Sequence, residues 1–215
     1  MEFGLRRAQG PDAGLYGARA AMIGGCIGTS NVLAGQMFDV PVKGTHAHSW
    51  IMSFADEYTA FKTYAKLYPD ACCLLVDTYD TLKSGVPNAI KVFTEMRESG
   101  IELHNYGIRL DSGDLAYLSK KARKMLDEAG FEDAFISASN DLDEYLIHDL
   151  KIQGAAITSW GVGTNLITSK DCPSFGGVYK LAAIQKKMEN FIPRLNFLRT
   201  QKDYKPWQQD RLPYL

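Results

Sequence analysis

Short apolar runs alternate along this chain with longer amphipathic stretches. The runs lie at residues 40–43, 72–76, 103–110, 134–137 and 155–159, and polar or glycine residues bound each of them. Short runs with little polar alternation are typical of parallel strands that are buried on both faces. We therefore predict five β-strands that are separated by helices.

The stretches between the runs place apolar residues at steps of three and four, which predicts amphipathic helices. The clearest covers residues 115–129, with its lysines and arginine on the face opposite the apolar one. Thr29 or Ser30 would cap one of the others, and Asn140 or Asp141 another. The other predicted helices are 12–24, 30–37, 54–67, 86–98 and 142–150.

The spacing of strand and helix indicates repeated βα units of roughly 30 residues, as in a barrel of about eight units. Only about five units are present, so we predict part of a barrel or a doubly wound sheet. Loops that leave parallel strands all face the same end of the sheet. Polar groups that are far apart in sequence should therefore meet in one pocket.

Composition narrows the class of protein. The chain has 215 residues, 46% of them hydrophobic and 23% charged, with a net charge of −1, so neither a nucleic-acid nor a polyanion partner is indicated. No apolar run approaches the roughly 20 residues that a membrane span needs, and no signal peptide is visible. The four cysteines form no CxxC pair, which favours reduced thiols in the cytoplasm over a zinc or disulfide framework.

Five polar motifs each follow a predicted strand and indicate a phosphorylated ligand. They are GTHAHSW (44–50), VDTYDT (76–81), IRLDSGDL (108–115), SASND (137–141) and GVGT (161–164). In the first, His48 can act as a base, a nucleophile or a phosphoryl acceptor, although a surface or hydrogen-bonded histidine is the alternative. His46 would point to the opposite face of an extended loop, so only one of the two histidines need be active.

The next two motifs carry carboxylates and an arginine. Asp77 and Asp80 can bind ribose hydroxyls or Mg²⁺, but Asp80 can instead cap a helix. Arg109 offers a planar fork for phosphate and Asp111 an acceptor for sugar hydroxyls, while Ser112 opens a helix whose amides favour anions. The alternative is an ion pair between Arg109 and Asp111 next to a helix cap.

Two further sets carry weaker signals. The backbone at Gly161 and Gly163 can approach a phosphate, with the Thr164 hydroxyl beside it, although a tight turn is a common alternative. Phe3 and Arg6 could hold a planar ring that bears a carboxylate. Spacing alone favours a different interpretation of that set, a solvated basic patch beside a buried phenylalanine.

Taken together, eight motifs resemble those of the nicotinate phosphoribosyltransferase family, in that family's order, from Glu2 to about Pro193. They are EFGLRRAQGPDAGL, TSNVLAG, GTHAHSW, DTYDTLKSG, GIRLDSGDL, SNDLDEY, GVGTNLITS and GGVYKL. The resemblance implies a partial, irregular βα-barrel of the type II phosphoribosyltransferase kind. It also implies that nicotinate and phosphoribosyl pyrophosphate are converted to nicotinate mononucleotide and pyrophosphate, a step of NAD salvage.

The resemblance also implies roles for individual residues. ATP would phosphorylate His48, and Mg²⁺ would arrive on the pyrophosphate or ATP. The full-length enzyme would be a homodimer. The donor phosphoribosyl pyrophosphate would bind at Asp77, Arg109, Asp111, Ser112, Asn140, Gly161, Gly163 and Thr164. Phe3 and Arg6 would hold nicotinate. Ser30 stands where nicotinamide-using relatives have an aspartate, and it would leave Arg6 free to bind a carboxylate.

The chain also departs from the family's pattern. Family members carry a domain before EFGLRR, so we expect residues 1–195 to be an incomplete barrel domain. Residues 196–215 form an off-pattern tail, and one hypothesis is that it is read out of frame. Three functional alternatives stay open: the active enzyme, an inactive fragment or remnant of it, and a relative that uses nicotinamide or quinolinate. Ser30 and His48 argue against the third.

Overall fold

A computed structural model describes residues 1–168, 183–185 and 191–193. The predicted tail at 196–215 lies outside these residues. Within the described ranges, no helix combines the length and the apolar character that crossing a membrane requires.

A four-stranded parallel sheet forms the centre of the fold. Its strands are β1 (Cys73–Leu75), β2 (Gly107–Leu110), β3 (Phe135–Ala138) and β4 (Ser159–Trp160), in the order β1-β2-β3-β4. Each strand pairs in parallel with the next along the chain. The predicted α/β class is therefore confirmed. β1 and β2 are shorter than their apolar runs, β3 is shifted by one residue, and β4 overlaps the predicted run 155–159 only at Ser159. The named strands of the described part do not close into a barrel.

The predicted strand at 40–43 is wrong. In its place Val42 makes a single parallel bridge to Thr29, and further single bridges join Thr29 to Glu2 and Glu2 to Val162. Two features limit the pairing, because Pro41 has no N–H to donate and Asp39 has a left-handed backbone with φ of 52°. These bridges extend the parallel pairing beyond β4 by one residue at a time.

All six predicted helices are present, and two short ones are added. They are α1 (Pro11–Ile23), α2 (Val32–Phe38), α3 (His48–Met52), α4 (Glu57–Leu67), α5 (Val86–Glu98), α6 (Leu115–Glu128), α7 (Glu144–Ile152) and α8 (Thr164–Ile167). The remaining elements are 3-10 turns at Leu5–Arg7 and Pro69–Ala71, a π-helical turn at Thr81–Gly85, and an antiparallel pair of β5 (Ala183–Gln185) and β6 (Phe191–Pro193).

The predicted caps of two helices are wrong by one to three residues. The Asn31 side chain, and not that of Thr29 or Ser30, accepts from the Ala34 amide at the start of α2. At α7 the cap is Asp143, which lies beyond the predicted pair Asn140 and Asp141. In both cases a better-placed Asx side chain satisfies the free amide of the first turn.

The hydrophobic core lies between the sheet and the helices that cover it. Phe61 of α4, Phe93 of α5 and Leu126 of α6 are each less than 2% exposed, and they pack in one cluster with the sheet residues Leu74 and Ile108. Burial of each such side chain contributes about 1.5–3 kcal/mol. The core therefore holds the strands, and the loops at their carboxyl ends, in fixed relative positions.

Candidate active site

A cavity of about 750 Å³ lies where the sheet strands end, and we call it the strand-end cavity. Eleven of the twelve predicted site residues line it, although they come from motifs spread over 162 positions. They are Phe3, Arg6, His48, Asp77, Arg109, Asp111, Ser112, Asn140, Gly161, Gly163 and Thr164. The twelfth, Ser30, does not line the cavity. The expected convergence of loops that leave parallel strands is therefore observed.

His48 and Asp77 form a buried pair at the base of the cavity. The His48 Nε2 atom lies 3.1 Å from Asp77 Oδ1, and the two side chains are 9% and 1% exposed. The other Asp77 oxygen accepts from the Asp111 amide and the Ser112 hydroxyl, each at 2.7 Å. Burial alone would raise the pKa of Asp77, but the hydrogen bonds from His48, Ser112 and Asp111 outweigh it and lower that pKa. Asp77 is therefore an ionised acceptor that fixes the imidazole.

Arg109, at the end of β2, is the centre of a second polar network. Its guanidinium donates to Ser139 Oγ and to Thr45 Oγ1, each at 2.8 Å, and to Asp111 Oδ1 at 3.2 Å. The Ser139 hydroxyl also donates to Asp111. The ion pair between Arg109 and Asp111, which was the alternative to a ligand-binding role, is thus present within a network that orients the arginine. Thr45 and Ser139 belong to recognised motifs, but spacing alone did not single them out.

The N-terminus of α6 differs from the predicted anion site. Asp114 caps this helix, because its carboxylate accepts from the Tyr117 amide at 2.9 Å. A negative charge therefore already occupies the first turn, which weakens its attraction for a second anion. Ser112 instead contributes to the cavity by donating a hydrogen bond from its hydroxyl to the Asp77 carboxylate.

The loop after β3 has a rare backbone conformation beside the cavity. Asn140 and Asp141 both have positive φ, at 96° and 47°. The Asn165 amide group holds this loop, since it donates to the carbonyls of Asp141 and Leu142. Non-glycine residues in this region cost energy and occur preferentially at functional sites.

The glycines after β4 make room for Phe3. A Cβ atom on Gly161 would lie 2.5 Å from the Phe3 ring, and one on Gly163 would lie 3.0 Å from the Phe3 carbonyl oxygen. The Arg109 guanidinium carbon lies 5.4 Å from the centre of the same ring, within cation–π range. Phe3 is therefore held by groups from β2 and from the segment after β4.

Glu2 links the segment of Phe3 to the segment of Ser30. Its side chain is fully buried and accepts from the Gly4 amide and the Thr29 hydroxyl. Its carbonyl accepts from the Ser30 amide at 3.0 Å. Ser30 thus lies one hydrogen bond away from the segment that carries Phe3, although it does not line the strand-end cavity. Sequence reasoning missed Glu2, because a carboxylate beside an apolar residue gives no pattern.

The outer edge of the cavity is a π-helical turn that follows Asp77. Asp80 caps this turn by accepting from the Lys83 amide at 3.0 Å, as the capping alternative predicted. Tyr79 and Lys83, together with Tyr117 of α6, line the cavity without having been predicted. Turns of this rare type occur frequently at functional sites. Among the described residues no group of three or more His, Cys, Asp or Glu side chains could hold a metal ion.

The parallel sheet and its polar strand-end cavity define an α/β protein of the kind that binds ligands beyond the carboxyl ends of its strands. The model of the Nicotinate phosphoribosyltransferase (NAPRTase) family matches residues 1–191, and the chain belongs to this family. It is 62% identical over 186 residues to a nicotinate phosphoribosyltransferase of Bacillus subtilis, which covers 86% of this chain and 37% of that relative. The chain therefore spans about two fifths of the length of this relative.

The chain is also similar in fold to solved structures of nicotinate phosphoribosyltransferases. The crystal structure of human nicotinic acid phosphoribosyltransferase superposes with a TM-score of 0.66 at 32% identity, covering 75% of this chain and 42% of the human one. A nicotinate phosphoribosyltransferase from Porphyromonas gingivalis gives 0.69 at 23% identity, over 95% of this chain and 56% of that one. The second likeness concerns the fold alone. The predicted fold class is confirmed by these neighbours, whereas barrel closure stays a prediction.

Proposed function

We propose that the protein is a nicotinate phosphoribosyltransferase that forms nicotinate mononucleotide and pyrophosphate from nicotinate and phosphoribosyl pyrophosphate. Membership of the family supports this proposal. The observation that carries it is the pairing of His48 with the ionised Asp77 in the cavity that also contains Phe3 and Arg6. A buried nucleophile, an aromatic face and a cation in one cavity are the groups that this reaction would use.

The proposed glycosyl transfer depends on positioning. The nicotinate ring would stack on Phe3 with its carboxylate on Arg6, which directs the ring nitrogen toward the anomeric carbon of the donor. The new C–N bond forms as the bond from that carbon to the pyrophosphate oxygen breaks. Asp111 would bind the ribose hydroxyls, and the remaining donors of Arg109 would face the leaving group. Preorganised groups of this kind supply most of the stabilisation in such reactions.

His48 would couple the reaction to ATP. The ionised Asp77 accepts a hydrogen bond from Nε2–H, which leaves the lone pair of Nδ1 as the nucleophile. In the proposed step Nδ1 forms a bond to the γ-phosphorus of ATP, the bond from that phosphorus to the β–γ bridging oxygen breaks, and ADP leaves. Water would later hydrolyse the phosphohistidine. Asp77 stabilises the positive charge that develops on the imidazole in this step.

The carboxylates of the strand-end cavity fit an Mg²⁺ ion that arrives bound to the phosphates of the substrate or ATP. Both oxygens of Asp77 already accept hydrogen bonds, and the described residues form no three-residue metal group. Asp80, Asp111 and Asp141 line the cavity and can hold waters of a hydrated ion. When bound, Mg²⁺ would neutralise charge on the pyrophosphate.

We also propose a cytoplasmic location and a homodimer for the full-length enzyme. The thiols of Cys72 and Cys73 are buried and free, as expected for a reducing compartment. Three large apolar side chains of α2 are exposed, namely Val32 (69%), Leu33 (51%) and Met37 (55%). An apolar helix face of this kind is suited to a second copy of the chain.

The decisive experiment is incubation of the purified chain with Mg²⁺ and γ-labelled ATP. We expect acid-labile label on the wild type and none on His48→Ala, because the nucleophile is removed. The control His104→Ala removes an exposed histidine and should label like the wild type. Formation of nicotinate mononucleotide from labelled nicotinate is then measured with the same proteins. A cooperatively folded wild type that takes no label would favour the inactive alternative.

A further inference from the structure

His46, the first histidine of the GTHAHSW motif, is not used by the proposed chemistry and yet is buried beside it. It is 7% exposed, and its Nε2 atom lies 3.3 Å from the backbone nitrogen of Leu75. The ring packs edge-on against Tyr64, with centroids 4.6 Å apart, and lies 6.1 Å from the Phe61 ring. This histidine is therefore held by core contacts and a backbone donor.

The backbone donor belongs to the outer strand of the sheet. Leu75 is the last residue of β1, and β1 pairs with β2 on one side only. On that side the Val76 amide donates to the Arg109 carbonyl, so the adjacent Leu75 amide points away from β2. A buried amide that lacks an acceptor destabilises the folded chain. The His46 imidazole supplies this acceptor in place of another strand.

The contacts of the two histidines have the same register. His46 bonds to Leu75 and His48 bonds to Asp77, and both pairs are separated by 29 positions in sequence. Residues 46–48 therefore run beside residues 75–77, and their side chains make the cross-links. The prediction that His46 points to the face opposite His48 is wrong, because both rings contact the same segment, as residues two apart in an extended chain do. A shift of the first cross-link would displace the second, because only Ala47 separates them.

The first cross-link requires a neutral ring. An imidazole accepts an N–H hydrogen bond only through an unprotonated nitrogen, which places the proton of His46 on Nδ1. Burial lowers the pKa of His46 to about 3 with a smaller contribution from the charge of Arg109, although the backbone of Ala47 opposes the shift. The ring is thus neutral throughout the physiological range, and its occupied Nε2 and its burial exclude it as a second phosphoryl acceptor.

We propose that His46 is a positioning residue that sets the register of His48 against Asp77 through its bond to the Leu75 amide. The catalytic part of this proposal rests on the proposed function, whereas the geometric part does not. Two substitutions separate the acceptor from the packing. His46→Gln keeps an acceptor oxygen at a similar reach, and His46→Leu fills the space without any acceptor.

The geometric part is tested by NMR on ¹⁵N-histidine-labelled full-length chain. In the wild type we expect His46 as the neutral Nδ1–H tautomer, and an exchange-protected Nε2–H signal from His48 where it bonds to Asp77. That signal should persist in His46→Gln and disappear in His46→Leu. The control is Val92→Ala, a core substitution in α5 that should lower stability and keep the His48 signal. If it does, the loss of that signal in His46→Leu is not explained by lower stability alone.

The catalytic part is tested by the rate of phosphohistidine formation. His46→Leu should label about tenfold or more slowly, because small displacements of a nucleophile have effects of this size, while His46→Gln stays close to the wild type. Equal rates in His46→Leu and the wild type, or a His46 protonated at Nε2, would overturn the proposal. A wild type that takes no label contradicts the proposed function instead, and the His48 signal still decides the role of His46.

Discussion

Arg109 shows how single residues of this site are prepared before any ligand binds. Its three side-chain partners come from different parts of the chain: Asp111 follows β2, Ser139 follows β3, and Thr45 precedes α3. The guanidinium plane is also next to the Phe3 ring, which the side-chain-free Gly161 allows to approach. The site is therefore a set of mutually fixed groups, as electrostatic preorganisation requires.

At the same scale, Ser30 tests the selectivity for nicotinate over nicotinamide. Ser30→Asp should raise the KM for nicotinate about tenfold or more, because a carboxylate on the segment that Glu2 ties to Phe3 would repel that of nicotinate, and ~1.4 kcal/mol suffices for this change. Steady-state kinetics with nicotinate and nicotinamide measure the effect. Ser30→Asn has a similar size without the charge and should change the KM much less. Unchanged nicotinate kinetics in Ser30→Asp would remove Ser30 from the selectivity hypothesis.

Among the elements, local pattern predicted the helices, but contacts distant in sequence determined the rest. The helix α5 has the predicted bounds, 86–98, because its apolar periodicity suffices to define it. The segment at 40–43 failed as a strand because its pairing depends on Thr29 and Glu2, which no local pattern reveals. Ser139, Lys83 and Tyr117 were missed for the same reason, since only the folded loops bring them to the strand-end cavity.

The π-helical turn at Thr81–Gly85 is held by a buried carboxyl group. Glu57 Oε2 accepts from Ser84 at 2.5 Å and from Asn88 at 3.1 Å, while its Oε1 is buried and lacks a hydrogen bond within the described structure. Burial raises the pKa of Glu57, and the hydrogen bonds from Ser84 and Asn88 only partly oppose it. The raised pKa means that Glu57 favours folding when it is protonated.

A pH-dependent stability difference follows for Glu57→Gln. The stability that wild-type Glu57 contributes is complete below its ordinary pKa of 4.5 and is lost as the pH rises through the raised folded value. Glutamine is neutral at every pH, so the variant should be more stable than the wild type by about 1 kcal/mol at pH 7, with no gain near pH 4. Urea unfolding at several pH values measures this difference. A variant that is less stable at pH 7, or a constant difference, would contradict the argument.

For the whole molecule, the exposed apolar face of α2 is the surface that we expect to contact the second copy in the proposed homodimer. Val32, Leu33 and Met37 all lie on this helix, which has seven residues, and each is more than half exposed. The helix begins directly after Ser30 and Asn31, so a partner that covers it would lie close to the segment that Glu2 ties to Phe3. Association and nicotinate binding are therefore expected to be coupled.

Met37→Lys tests whether the exposed face of α2 contacts a second copy of the chain. A lysine in a desolvated apolar contact should weaken self-association about tenfold or more, with little effect on the fold because the position is exposed. Sedimentation equilibrium across a range of protein concentrations gives the dissociation constant, and Leu146→Lys on α7, which replaces an exposed leucine away from α2, is the control. If dimers form and Met37→Lys leaves their dissociation constant unchanged, a different surface joins the copies. If the wild type stays monomeric at every concentration, the face of α2 does not bind a second copy of this chain, and the coupling between association and the Ser30 segment is lost with it.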